Sequence, residues 1–233
     1  MPHNQSRARR LLRCLILVGL ASTGAVQAAP LGAQTPARAP AEPSKLLEHV
    51  INCNGDLRSF EASIDISFRK TSFPFLGVSL SGTAYYRKPD KFAVTFAHIP
   101  GIMRGFPEAY ASMMDVGTWQ QRFVVGDDGA GSANGRTGEW LTLKPRDPRS
   151  GLVLGRVLVD TSTWTIAQAD WDFQHDMHFA VAQDYETVGS YELLADQRWQ
   201  VHVPYARAVG TTTLRDYHAN VAIDDGVFSV TGS

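Results

Sequence analysis

The sequence predicts a mainly β domain of the α+β class, built on a curved antiparallel sheet with one helix before it and a short helix inside it. Three observations carry this reading. From residue 60 onward, apolar and polar side chains alternate with a period of two, the pattern of strands with one dry face and one wet face. The alternating runs are divided by turn signals: Asp127-Asp128-Gly129, Asn134-Gly135, Lys144-Pro145, Val188-Gly189 and Asp224-Asp225-Gly226. There is no sequence repeat, and strands do not alternate with helical stretches as a parallel sheet would require.

The elements follow in order. Residues 1–28 have the three parts of a cleavable secretory signal. Arg7, Arg9, Arg10 and Arg13 are the positive region, Leu11 to Leu20 the apolar core, and Val26-Gln27-Ala28 the small-residue site, with cleavage expected after Ala28. The apolar run is shorter than the roughly 20 residues a membrane span needs. No Cys stands just after it in a lipid-attachment context, because Cys14 lies inside the core and Cys53 far beyond. The expected product is therefore an unanchored protein of the periplasm with one cysteine and no intrachain disulfide. Residues 29–43, rich in Ala and Pro, read as a flexible linker, and 44–233 as one domain. Four of the 22 basic residues lie in 1–28 and none of the 23 acidic ones, so the remainder is acidic and poorly suited to nucleic acid.

Ser44 is the expected N-cap of a short amphipathic helix whose stripe is Leu46, Leu47, Val50 and Ile51, ending near Asn54-Gly55. Phe60, Ala62, Ile64, Ile66 and Phe68 then alternate with polar residues in a first strand. Val78, Leu80, Ala84 and Tyr86 form a second, and Phe92, Val94 and Phe96 a third. Arg87 to Lys91 supply a tight turn, and Gly82 in mid-strand predicts a bend or bulge. Between Pro100 and Val116 the pattern breaks. Ile102, Met103, Phe106, Tyr110, Met113 and Met114 lie among prolines and glycines, which predicts a loop with a short helix at about 107–115. Strands are expected again at 120–126, 139–144, 152–160, 163–173, 177–186, 191–203, 206–217 and 219–223.

Motifs for chemistry are weak. His175-Asp176-Met177-His178 sits in a strand-rich region, where residues three apart point to opposite faces, and no further ligand completes a metal set. Gly126 to Gly131 is a hairpin loop rather than a phosphate cradle, lacking the Lys-Ser or Lys-Thr and the helix that follow one. Gly77 to Gly82 misses the Gly-x-Ser-x-Gly spacing and lies in a strand. Cys53 fits packing on the short helix better than nucleophilic work. No catalytic residue, cofactor or metal is expected. The apolar insert is more informative, because methionines adapt to irregular partners. A small lid over a concave apolar sheet makes a pocket for acyl chains. The expected ligand-binding residues are Ile64, Ile66, Phe68, Val78, Leu80, Phe92, Val94 and Phe96, with Phe106, Tyr110, Met113 and Met114 in the lid.

Four stretches resemble the LolA-like outer-membrane lipoprotein-sorting proteins. Ser44 to Val50, running to Leu57-Arg58-Ser59-Phe60 and Ile64, is similar to the family's opening helix and first long strand. Gly82-Thr-Ala-Tyr85-Tyr-Arg87-Lys88-Pro89-Asp90-Lys91-Phe92 is similar to its Lys-Pro hairpin. Val157 to Ile166, with Asp160-Thr-Ser-Thr163, resembles a later hairpin, and Tyr217 to Ile223 through Val227-Phe228 its closing strand and terminal segment. The resemblance implies an incomplete β-barrel closed by helices and an apolar cavity for acyl chains. It implies a monomeric carrier of lipoprotein or lipid cargo that works between an inner-membrane donor and an outer-membrane acceptor, without cofactor or covalent chemistry. A lipid-sensing or protein-interaction module of the same fold is the alternative. In the family, an Arg on the opening helix holds the empty cavity shut. Residues 44–56 contain no Arg, so that lock is absent, replaced or elsewhere.

Overall fold

The structure is a computed structural model that describes residues 42–72, 76–89, 91–101 and 106–229. The signal, its cleavage site, most of the linker, Ile102, Met103 and the Phe106 side chain lie outside the described residues.

Helix α1 spans Pro43–Asn52. Its apolar residues recur at helical spacing, so Leu46 and Leu47 are buried while Val50 and Ile51 pack beside them. Pro43 occupies the first turn, where its missing N–H costs nothing, so the helix starts one residue before Ser44, and Glu42 stands at the N-cap, its carboxylate paired with Lys45 at 2.8 Å and not capping the helix. Ten antiparallel strands follow: β1 Ser59–Lys70, β2 Gly77–Arg87, β3 Lys91–Phe96, β4 Phe123–Ala133, β5 Arg136–Pro145, β6 Leu152–Asp160, β7 Thr165–Phe173, β8 Met177–Val188, β9 Tyr191–Val203 and β10 Ala206–Ala219. The sheet runs in the order β3-β2-β1-β10-β9-β8-β7-β6-β5-β4. It is a curved, unclosed sheet, an incomplete β-barrel.

This order places the lid. The first strand pairs with the last in the interior of the sheet, as its third and fourth strands, and β3 and β4, adjacent in sequence, stand at opposite edges. The chain joining them must pass from edge to edge. It carries helix α2 (Phe106–Met114), a 3-10 turn (Val116–Thr118) and helix α3 (Trp119–Arg122). A last short helix, α4, is Gly226–Ser229.

The alternation seen in sequence becomes one continuous inner face. A row of register partners runs Val78, Phe68, Gly210, Trp199, Val181, Ala169, Val157, Leu141 from β2 to β5. Gly210 is required in this row, since a Cβ there would come within 2.6 Å of the Phe68 ring. Gly155 on β6 does the same for Trp171, whose ring atoms stand 2.6 Å from the Cβ site.

Several sequence expectations change. Asp127-Asp128-Gly129 is a bulge within β4 and not a turn; Gly129 takes φ 81°, and the hairpin turns at Asn134 (φ 52°) and Gly135 (φ 71°). The Gly126 to Gly131 stretch is therefore strand, not loop. Gly82 makes no bulge: β1 and β2 stay in register past it, and its bare Cα lets the β3 backbone approach. Residues 119–122 are a helical turn, so β4 begins at Phe123. Trp164 takes φ 58° in the β6–β7 turn, so β7 begins at Thr165. Beyond Ala219 the chain leaves the sheet, and 221–224 is not a strand. Ser59 Oγ donates to the Val221 carbonyl at 2.6 Å and Arg87 Nη1 to that of Ile223 at 3.0 Å, bonds that replace a ladder. His175, with φ 64°, forms the β7–β8 turn, and His178 bonds Asp172 at 2.8 Å.

Candidate functional site

The inner face carries two apolar clusters. One lies under α1 and α3 and contains Leu46, Leu47, Trp119, Phe123, Leu141, Leu143, Val157, Val159 and Trp171. Trp119 meets Trp171 edge to face, with ring centroids 5.5 Å apart. The other lies under α2 and contains Ala62, Ile64, Ile66, Leu80, Ala84, Val94, Tyr110, Val181, Leu194, Trp199 and Leu214.

Between the two, over the middle of the sheet, is a cavity of about 210 Å³. Val50 and Ile51 of α1 and Met113 and Met114 of α2 are among its lining residues. Ile166, Ala169, Trp171, Val181, Leu194, Trp199 and Leu214 form its floor, and Cys53, Lys88, Trp164 and Glu192 stand among the residues around it. Its size is a little above the roughly 150 Å³ that encloses a benzene ring.

The two covers are attached differently. The end of α1 is strapped by Asn54, whose Nδ2 donates to the Glu192 carbonyl at 2.8 Å and whose Oδ1 accepts from the Glu192 N–H at 2.9 Å. Lys88 Nζ donates to the Gly55 carbonyl at 2.6 Å and to that of Asn54 at 3.3 Å, two acceptors in the turn that follows the helix. His49 stacks on Trp164 at 4.3 Å. The turn presenting Trp164 is fixed by Asp160. Burial alone raises that carboxyl, but hydrogen bonds from Ser162 and the Arg136 guanidinium outweigh it and hold it below the usual carboxylate range. Thus α1, which carries no Arg, is held by Lys88 and Asn54.

Helix α2 meets the sheet through apolar side chains and a buried glutamine. Tyr110, with no exposed surface, donates its hydroxyl to Gln197 Oε1 at 2.9 Å. Gln197, likewise fully enclosed, donates Nε2 to Met114 Sδ at 3.3 Å. Gln197 belongs to a polar row on the inner face: Thr212, Gln197 and Gln183 are register neighbours on β10, β9 and β8. Tyr185 donates to Gln183 Oε1 at 2.7 Å, and Trp199 Nε1 to Thr212 Oγ1 at 2.8 Å. Burial pushes the phenols of Tyr110, Tyr185 and Tyr217 well up from the ordinary tyrosine value.

Eleven of the twelve residues named from the sequence fall in or against the α2 cluster. Ile64, Ile66, Leu80, Val94 and Tyr110 are buried in it, and Phe68, Val78, Phe92, Phe96, Met113 and Met114 pack on it. Phe92, Met113 and Met114 are among the cavity-lining residues; the other eight form solid packing beside the cavity. Sequence reasoning missed the contributions of α1, β7, β8 and β9 to the lining, and with them Gln183 and Gln197. The signal was present: both glutamines stand at the apolar parity of their strands, in line with Val181 and Trp199. Among the described residues no group of three or more His, Cys, Asp or Glu is placed to hold a metal ion.

No family model matches the chain, and no curated protein does. Solved structures do. A DUF1329 family protein from Desulfovibrio piger superposes with a TM-score of 0.63 at 12% identity, over 81% of this chain and 98% of that one. An outer membrane lipoprotein-sorting protein domain from Vibrio parahaemolyticus gives 0.61 at 11% identity, over 80% and 97%. A LolA superfamily protein from Nitrosomonas europaea gives 0.54 at 8% identity, over 81% and 98%. With its unclosed ten-stranded sheet and helices over the inner face, this chain has the LolA-like fold.

Proposed function

We propose that this chain is a carrier of the bacterial periplasm that takes up the acyl chains of a lipid or lipoprotein in the cavity between α1 and α2 and delivers them toward the outer membrane. It is a binding protein and not an enzyme, reaching the periplasm by the expected signal at 1–28 and working as a monomer between an inner-membrane donor and an outer-membrane acceptor. The observation that carries this reading is an apolar cavity whose two covers differ: α1 is strapped by directional hydrogen bonds, while α2 rests largely on adaptable side chains, Met113 and Met114 among them. The fold is shared with a lipoprotein-sorting domain, which supports cargo of this class.

Volume sets how the cavity works. At about 210 Å³ it holds a ring or a short length of chain. Ligand sites for larger molecules run from about 300 Å³ upward, so uptake of a whole chain requires a cover to move. Helix α2 is the cover that moves. Each methylene shielded from water contributes about 0.8 kcal/mol, enough for a few carbons to offset the apolar contacts α2 gives up. The test is native mass spectrometry of the protein purified from the cell envelope. Acyl-bearing adducts that disappear on Met113→Asp are expected. A protein that is reproducibly free of lipid sinks the proposal.

A further inference from the structure

The floor of the cavity carries two glutamines side by side. Gln183 and Gln197 are direct register partners on β8 and β9, both on the inner face and both lining the cavity. Each carboxamide oxygen is already taken by a phenol, Tyr185 on Gln183 and Tyr110 on Gln197. Buried phenols need acceptors, so each amide presents its oxygen to the tyrosine. The thioether of Met114 beside Gln197 Nε2 fixes the same orientation there, since sulfur only accepts. Both amides therefore turn their NH₂ groups away from the phenols.

Gln183 is the sharper case. Its side chain is 8% exposed, and its Nε2 has no hydrogen-bond partner among the described residues. Among the described residues no fully enclosed side-chain nitrogen or oxygen lacks a partner, so this NH₂ keeps accessible surface, and Gln183 is a lining residue of the cavity. The neighbouring NH₂ of Gln197 has only a weak sulfur acceptor. An unanswered donor in an apolar chamber is costly unless an acceptor is supplied.

We infer that Gln183, beside its register partner Gln197, forms a carbonyl-recognition site at the cavity floor, selecting acyl ligands whose neutral ester or amide oxygen accepts from the Gln183 NH₂. This rests on the carrier reading above and names the ligand class. A neutral carbonyl fits better than a carboxylate, because the floor offers a neutral donor without a cation: Lys88 is engaged with the turn after α1. A pure hydrocarbon leaves that donor unanswered.

The experiment is displacement of N-phenyl-naphthylamine from the wild-type protein by methyl decanoate and by dodecane. The ester is expected to bind about tenfold or more tightly than the alkane, because a site built to hydrogen-bond rejects an analogue lacking the group. In Gln183→Leu that preference should collapse, with dodecane affinity equal or improved. Gln183→Glu, which replaces the donor by acceptors, should weaken the ester selectively. Equal binding of ester and alkane by the wild type, or a preference that survives Gln183→Leu, overturns the inference while leaving the carrier reading intact. If neither compound displaces the probe, both fall. The wild-type comparison needs no variant to fold.

Discussion

The two halves of the inner face solve the same problem by different means. Each must cover an apolar sheet surface that water would otherwise penalise. Under α1 and α3 the cover is interlocked: Trp119, Phe123 and Trp171 contact one another at 5.5–6.4 Å, and Asn54 and Lys88 strap the helix end to two hairpins. Under α2 the cover is adaptable: two methionines, and a tyrosine that bonds a glutamine. The difference teaches where the molecule opens. Directional bonds and rigid rings favour one arrangement, whereas methionine contacts are remade at small cost. The cavity lies at the seam between a fixed wall and a movable one.

The largest expected effect is in the fixed half. Trp171→Ala removes the ring at the centre of the aromatic cluster and over Gly155. It should lower unfolding stability by about 3–5 kcal/mol in urea titration. If Met113→Ala costs as much, the two halves are not different in kind.

The second effect belongs to the adaptable half, which holds the three phenols raised by burial: Tyr110, Tyr185 and Tyr217. A folded value above the unfolded one means that the native state keeps protons the unfolded chain has lost. Stability is then fully present below about pH 10 and declines above it, by up to about 1.4 kcal/mol per pH unit for each phenol. Alkaline titration followed by phenolate absorbance should show these three ionising only as the protein unfolds, with hydrogen exchange rising in α2 before α1. Ionisation of all tyrosines near pH 10 in a folded protein contradicts the burial described.

Next, Tyr110→Phe leaves Gln197 Oε1 without this donor. A cost of about 1–2 kcal/mol is expected, with faster exchange of α2 amides and faster ligand release while α1 is unchanged. The smallest effect is that of Asn54→Ala, which removes both bonds to Glu192. About 1 kcal/mol should be lost, with exchange rising at the end of α1 and ligand kinetics unaltered. Swapped phenotypes for these two variants would assign the moving cover to α1.

Much of this was legible in the sequence because it is local. The helical stripe of Leu46, Leu47, Val50 and Ile51 and the alternation from Phe60 to Phe96 each encode their own period. The illegible parts depend on partners far along the chain. That Gln183 faces Gln197 follows from the β8–β9 register and its shift at Asp184/Tyr185, which no local pattern reports. Which inner-face residues meet cavity and which meet solid packing depends on where α2 crosses, and that is set by β3 and β4 standing at opposite edges. Asp127-Asp128-Gly129 misled because the residues that permit a turn also permit a bulge. Trp164 broke its strand through a positive φ that a bulky residue rarely adopts.

The most direct test of the central claim places a photoreactive group at the seam. Met113→p-benzoylphenylalanine, expressed in cells that export the protein and irradiated in place, should yield an adduct of lipid or acylated-peptide mass. The same group at Val209, on an exposed strand position, should yield none. Lipid captured equally at both positions, or at neither, contradicts a cavity that opens at α2 to carry acyl chains.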